Sequence, residues 1–455
     1  MRFEEPGLLR QRTLGGTMRF ERSAALRERA HAAIPGGAHT YAKGDDQFPE
    51  RSPGFVARGE GCRVWDEDGN EFVEYGMGLR AVGLGHAFPP VVEAVRRSLG
   101  LGTNFSRPHR LEVECAEALL AAVPAAGMVK FTKDGSTAVT AAVRLARAAT
   151  GRDLVAACRD HPFFSYDDWF IGTTPVDAGI PPAATALTRL FPYGDLAALE
   201  ALLAAEPGRV ACVLLEACKY EDPPPGYLRG VRRLCDAHGA LLVLDEMING
   251  FRLAVGGGQE FYGVEPDLST FGKAMANGFA VSALAGRREH MELGGLRHGR
   301  DRVFLLSTTH GGEVPGLAAA LATMRAYREL PVVETLDRQG RRLAEGVRQA
   351  VAAHGLSGHV PVSGHPCNLV FGTLDRDGRP SQHLRALLMQ ELVARGVIAP
   401  SLVVSFSHDD GAIDRTVEAF HGAMPAYRRA LEDGVEGLLA GPPTAPVYRR
   451  RNARG

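Results

Sequence analysis

Residues 241–277 read LLVLDEMINGFRLAVGGGQEFYGVEPDLSTFGKAMAN. The stretch opens with an apolar run at 241–244, preceded by His238-Gly239 and followed by two acids, Asp245 and Glu246. A short apolar run between such breaks predicts a strand buried on both faces of a parallel sheet. Asp245 then stands at the strand's end, and open α/β sheets bind ligands outside the carboxyl ends of their strands. A second run, residues 266–271, leads into Gly272-Lys273. One carboxylate and one amine are thus each delivered by a strand end, within reach of a common crevice.

The 52 basic residues include only five lysines, at positions 43, 130, 133, 219 and 273. Arginine stays protonated and cannot serve as a nucleophilic amine. A lysine kept in so arginine-rich a chain points to chemistry, although capping a helix or pairing with an acid is the alternative for Lys273. An acid and an amine so placed suit a pyridine cofactor that carries an aldehyde. The acid holds a proton on the ring nitrogen, so that the ring can act as an electron sink, and the lysine forms the Schiff base.

Four segments carry a resemblance: Leu244-Asp245-Glu246-Met247, Gly250-Phe251-Arg252, Pro266-Asp267-Leu268 and Phe271-Gly272-Lys273. Together they resemble the signature of class III (subgroup II) pyridoxal-phosphate aminotransferases, and within them the glutamate-1-semialdehyde aminomutase-like branch. The similarity runs from about residue 34 to about residue 419. It implies a fold type I α/β architecture: a large domain with a mostly parallel seven-stranded sheet, plus a smaller α/β domain. It also implies pyridoxal 5'-phosphate bound by Lys273 and Asp245, and a homodimer with active sites at the interface. The implied organisation is an N-terminal arm (1–34), a first part of the small domain (35–105), the large domain (106–330), the rest of the small domain (331–440) and a flexible tail (441–455).

Composition narrows the remaining classes. At 455 residues the chain can bury a large core. A formal net charge of −1 with no basic face argues against nucleic acid or an anionic membrane as partner. No apolar run is long enough to span a bilayer, and the N-terminus lacks the apolar core of a signal peptide. Seven cysteines without metal-ligand spacing make a metal centre or a disulfide framework unexpected and fit a reducing cytoplasm.

Along the chain, residues 59–75 read as a hairpin around Asp68-Gly69-Asn70. Residues 110–122 predict a helix and 128–132 a strand. Gly135-Ser136-Thr137 follows, then a helix over 138–149. A strand, a Gly-Ser-Thr turn and a helix make an anion site from free N–H groups and the helix dipole, while an ordinary helix cap gives the same pattern. The resemblance places the phosphate on this turn. Residues 154–158 predict a strand leading to His161 and Phe163, where the family has an element lying over the ring. The resemblance assigns Glu216, after the strand at 209–216, to the cofactor's O3′ side and Met247 to one ring face. It also gives Thr309 to the phosphate of the other subunit, though capping of the helix at 317–327 is an alternative. Residues 172–184 are a lid or a plain surface loop. Further strands are expected at 368–373 and 402–407, and helices at 336–353, 384–396 and 413–432.

The implied chemistry is transfer of an amino group from a donor to a carbonyl acceptor, with Lys273 as general base. Tyr41, Lys43 and Arg80 are the substrate-contact candidates. Lys43 stands where the aminomutase branch has a carboxylate-binding arginine, and Pro400-Ser401 runs into Leu402-Val403-Val404 where that branch has a glutamate. These substitutions favour an intermolecular aminotransferase acting on a small polar aldehyde or ketone, such as a sugar or aminocyclitol in a specialised, antibiotic-type pathway. An aminomutase or epimerase is the alternative.

Overall fold

The computed structural model of the chain describes residues 18–161 and 163–451. Two compact units result. The larger takes Arg80–Leu84, Phe88–Asp337 and the residues from Tyr448 onward, and the smaller takes the residues up to Leu79, Gly85–Ala87 and Arg338–Val447. The first boundary lies nearer residue 88 than the expected 105, because the helix Pro89–Leu99 packs along the helix Val314–Glu329 of the larger unit.

The larger unit is built on seven strands: β1 (Met128–Thr132), β2 (Leu154–Cys158), β3 (Thr188–Phe191), β4 (Val210–Leu215), β5 (Leu241–Asp245), β6 (Leu268–Phe271) and β7 (Ser282–Gly286). Their order is β1-β7-β6-β5-β4-β2-β3. Only β7 runs antiparallel to its neighbours, β1 and β6. The expected mostly parallel seven-stranded sheet is therefore present. Every residue of β2 and β4 is buried, as parallel strands covered by helices on both faces require. The two main covering helices have clear ends. In α1 (Gly135–Thr150) the Asp134 carboxylate caps the first turn and Gly151, at φ 67°, closes the last. In α2 (Tyr227–His238) Gly239, at φ 64°, ends the helix and turns the chain into β5.

Asp267 ties these parts together. One carboxylate oxygen accepts from the Arg232 guanidinium of α2 and from the Leu242 N–H of β5, each at 2.7 Å. The acid of the Pro266-Asp267 motif is thus a brace between a helix and two strands.

In the smaller unit, Val56–Glu60, Arg63–Asp66 and Glu71–Glu74 form an antiparallel sheet that Val397–Ile398 joins in parallel. The expected hairpin is the Arg63–Glu74 part of it. Two expected strands differ. Residues 368–373 hold only the two-residue strand Val370–Phe371, and residues 402–407 contribute one bridge, Leu369 to Leu402. Leu402, Val403 and Val404 are fully buried, although only Leu402 takes part in a bridge. The tail expected to be flexible from 441 is anchored at its start. Thr444 is buried and its hydroxyl donates to Gln382 at 2.9 Å, while the Ala445 N–H donates to the Asp46 carbonyl. Residues 1–17 of the expected arm and 452–455 of the tail lie outside the described residues.

Candidate active site

Register places Leu215 opposite Leu244 and Asp245 opposite Thr270. Glu216, Asp245 and Thr270 therefore stand in one row across the carboxyl ends of β4, β5 and β6. Asp245 is buried, and its Oδ1 accepts from the Met247 N–H at 2.9 Å and from the Thr270 hydroxyl at 3.1 Å. Both bonds fall on one oxygen. Burial raises the carboxyl's pKa, against the pull of the Lys273 ammonium and those two bonds.

Lys273 follows the end of β6 after one residue, Gly272. Burial lowers its pKa, against the attraction of Asp245 and Glu216. Its backbone sits at φ 48°, a left-handed conformation that costs a non-glycine residue about 1–2 kcal/mol. Gly272 before it has no room for a side chain: a Cβ there would lie 2.5 Å from the Ser282 hydroxyl and 2.7 Å from the Met247 sulfur.

The turn at the start of α1 lies on the same side of the sheet. Thr137, expected to help hold an anion, does not offer its free groups. Its N–H and hydroxyl both bond to the Asp134 carboxylate, at 2.8 Å each to the nearer oxygen. The Ala138 N–H reaches the Asp134 carbonyl. The N–H groups of Gly135 and Ser136 remain at the helix start. Met247 joins the two halves of the site, since its sulfur lies 2.9 Å from where a Gly135 Cβ would stand and is also packed on Gly272.

The aromatic element differs from expectation. His161 is not an open ring platform. It is buried, packs on Phe164 and Tyr193, and its Nδ1 accepts from the Glu216 N–H at 2.9 Å. Burial, helped by the Lys219 ammonium, pushes its pKa down to about 3 and keeps the ring neutral. Phe163 is 48% exposed and meets Phe170 edge-on. Tyr166, which was not singled out from the sequence, stands at the helix start instead. Its N–H donates to the Ser136 hydroxyl at 3.1 Å and its own hydroxyl is 3.3 Å from that of Thr137. Only its place in an aromatic cluster after a strand end signalled it.

Glu216 is buried, and its Oε2 has no hydrogen-bond partner. Burial pushes its carboxyl up to about 7, with Lys219 opposing and Asp245 adding to the rise. Arg80 belongs to the same unit and interacts electrostatically with Glu216. Its carbonyl accepts from the buried Arg252 guanidinium at 2.6 Å. Thr309 is exposed, and the helix after it is capped by Glu313 rather than by a serine or threonine. Glu313 also holds Lys133 at 2.8 Å. Tyr41 and Lys43 lie exposed on a short turn of the smaller unit.

A family model for class-III aminotransferases matches residues 44–420. The chain belongs to that family. It is 33% identical over 443 residues to the glutamate-1-semialdehyde 2,1-aminomutase of Roseiflexus castenholzii, covering 92% of this chain and 100% of that one. It is 34% identical to the enzyme of the same name from Methanothrix thermoacetophila, covering 91% and 99%. Among solved structures, the pyridoxal-phosphate form of the FumI protein of Sphingopyxis sp. MTA144 superposes with a TM-score of 0.84 at 28% identity, covering 91% of this chain and 98% of that one. The fold is the type I fold of pyridoxal-phosphate enzymes, and the cofactor of this aminotransferase is pyridoxal phosphate.

The residues present fit that cofactor. Asp245 is a buried carboxylate with one oxygen uncommitted and a raised pKa, the state of an acid that a protonated pyridine nitrogen would complete. The amine at Lys273 and the N–H groups of Gly135 and Ser136 would supply the other two attachments.

Proposed function

We propose that this aminotransferase acts on a small amino-aldehyde related to glutamate-1-semialdehyde and moves its amino group between neighbouring carbons. The supporting observation is the 33–34% identity to two glutamate-1-semialdehyde aminomutases across nine-tenths of the chain. The sugar or aminocyclitol expectation finds no support among these relatives.

Bound pyridoxal phosphate supplies an aldehyde for the amino group and an electron sink for the carbon beside it. The chain supplies the rest. Asp245 keeps a proton on the pyridine nitrogen, while Gly135 and Ser136 take the phosphate on backbone N–H groups at the positive end of α1. Lys273 accepts the proton from the reacting carbon and returns it. Its lowered pKa leaves more of the amine neutral, as a general base needs. Met247, packed on Gly135 and Gly272, would offer a surface to one ring face, and Tyr166 at the start of α1 would stand beside the phosphate. Thr309, exposed and clear of its own helix cap, completes the phosphate site of a second subunit. Seven buried cysteines, none of them in a disulfide, suit a reducing compartment such as the cytoplasm.

A second reading has its own support. Lys43 replaces a bidentate arginine by a point charge, and Leu402 stands in place of a glutamate. Both changes favour transfer from an external donor. Glutamate-1-semialdehyde offered together with a 15N-labelled amino donor separates the two. Product that keeps the substrate's own nitrogen supports the aminomutase; label in the product supports the intermolecular reaction; no turnover with either sinks both.

A further inference from the structure

Lys219 has no part in the chemistry above. It lies four residues past the end of β4, on the sheet edge that presents Asp245 and Lys273. At 8% exposure it is the most buried of the five lysines, all of which are among the described residues. Among those residues no carboxylate forms an ion pair with its ammonium. The contact it does make is with the ring of Tyr220, 5.3 Å from Nζ to centroid. Beside it, Glu216 Oε2 is buried without a partner. A carboxylate oxygen without a partner and a lysine with no ion pair thus stand close enough to perturb one another.

Two further cations, Arg80 and Lys273, act on the Lys219 amine. Lys273, Arg80 and Arg252 act on the same cluster, and Asp245 is the other carboxylate. A desolvated charge without a counter-ion is expensive, and one that persists in a cleft is completed by a ligand. Burial, together with Arg80 and Lys273, lowers the Lys219 pKa, so an arriving anion restores its full charge.

We propose that Lys219 receives a carboxylate of the substrate, so that this aminotransferase selects carbonyl compounds that are also acids. The assignment rests on the amino-transfer reading. It also gives the chain a carboxylate-binding cation at the end of β4, in place of the arginine that Lys43 replaces in the sequence.

The test uses the full-length enzyme loaded with pyridoxamine phosphate and mixed with one of two aldehydes. Succinic semialdehyde and butanal differ in one carboxylate, and single-turnover conversion is followed by cofactor absorbance. Wild type is expected to bind succinic semialdehyde more tightly than butanal. Lys219→Met should weaken half-saturation by succinic semialdehyde about tenfold to a hundredfold and leave butanal unchanged, while Lys219→Arg recovers most of the loss. Glutarate, which cannot react, should perturb the wild-type cofactor spectrum at concentrations about tenfold below those Lys219→Met needs. A variant that loses both aldehydes equally, or neither, overturns the inference even if wild type is fully competent. A wild type that takes up no cofactor overturns the amino-transfer reading, and this inference with it.

Discussion

At Lys273 three constraints meet: a left-handed backbone, a glycine before it with no space for a Cβ, and burial that lowers the amine's pKa. Strain at such a position persists because the surrounding packing fixes it. Lys273→Ala should abolish single-turnover amino transfer, with a drop of at least about a thousandfold, while the protein still folds. Asp245→Asn keeps the size and the bond to Met247 but loses the charge that we propose holds the ring nitrogen's proton. Cofactor should remain bound in that variant while turnover falls by about 10²–10⁴, read from absorbance and single-turnover rates in parallel. A turnover within tenfold of wild type would remove Asp245 from the chemistry. Both residues were legible because each follows a short apolar run with sharp ends. Thr137 and His161 were not. A hydroxyl beside a helix start and a ring beside a strand end look alike in sequence whether they face a ligand or satisfy a neighbour, and here the Asp134 carboxylate and the Glu216 N–H claim them. Lys219 was singled out by the scarcity of lysine as much as Lys273, but no motif spacing pointed to it.

Among the elements, the motif acid Asp267 shows that a signature residue can act without touching the chemistry. It holds α2, β5 and the entry to β6 through Arg232 and the Leu242 N–H. Asp267→Ala leaves the Leu242 N–H unpaired and leaves Arg232 only Asp236 as counter-ion, which should cost about 1–3 kcal/mol. Thermal unfolding should drop by several degrees, while the cofactor absorbance of the surviving folded protein stays as in wild type. A large spectral change without loss of stability would move Asp267 into the site. At this scale the larger unit was readable from the chain, since buried parallel strands are continuous apolar runs between glycines and acids. The run 154–158 falls at its observed limits, as does the half-buried edge strand at 128–132. The smaller unit was read less well. At 402–404 the residues are buried although only Leu402 takes part in a bridge, and an apolar run does not say whether it pairs.

For the whole molecule, stability depends on pH through Glu246. Its carboxyl is buried and accepts from the Gly258 and Gln259 N–H groups at 2.8 Å each. Burial nevertheless pushes its pKa up to about 7, well above the usual glutamate range. The folded chain therefore holds this proton more tightly than the unfolded one. The resulting stabilisation is complete below about 4.5 and is lost as pH rises through about 7, on the order of 3 kcal/mol in all. Glu246→Gln should flatten the fall in melting temperature between pH 5 and pH 8, and an unchanged slope would assign the effect elsewhere. Assembly is the other property of this scale. In solution the protein should have twice the mass of its 48.7 kDa chain. Thr309→Ala should weaken cofactor binding about tenfold without splitting the dimer. A monomer that binds cofactor at full strength would contradict the shared site.

The most direct test is chemical. Borohydride reduction of the cofactor-loaded protein, followed by digestion and peptide mapping, locates the lysine that carries the pyridoxyl group. The modification is predicted on Lys273 alone. Modification of Lys219 or Lys133, or of no lysine, would contradict the site described.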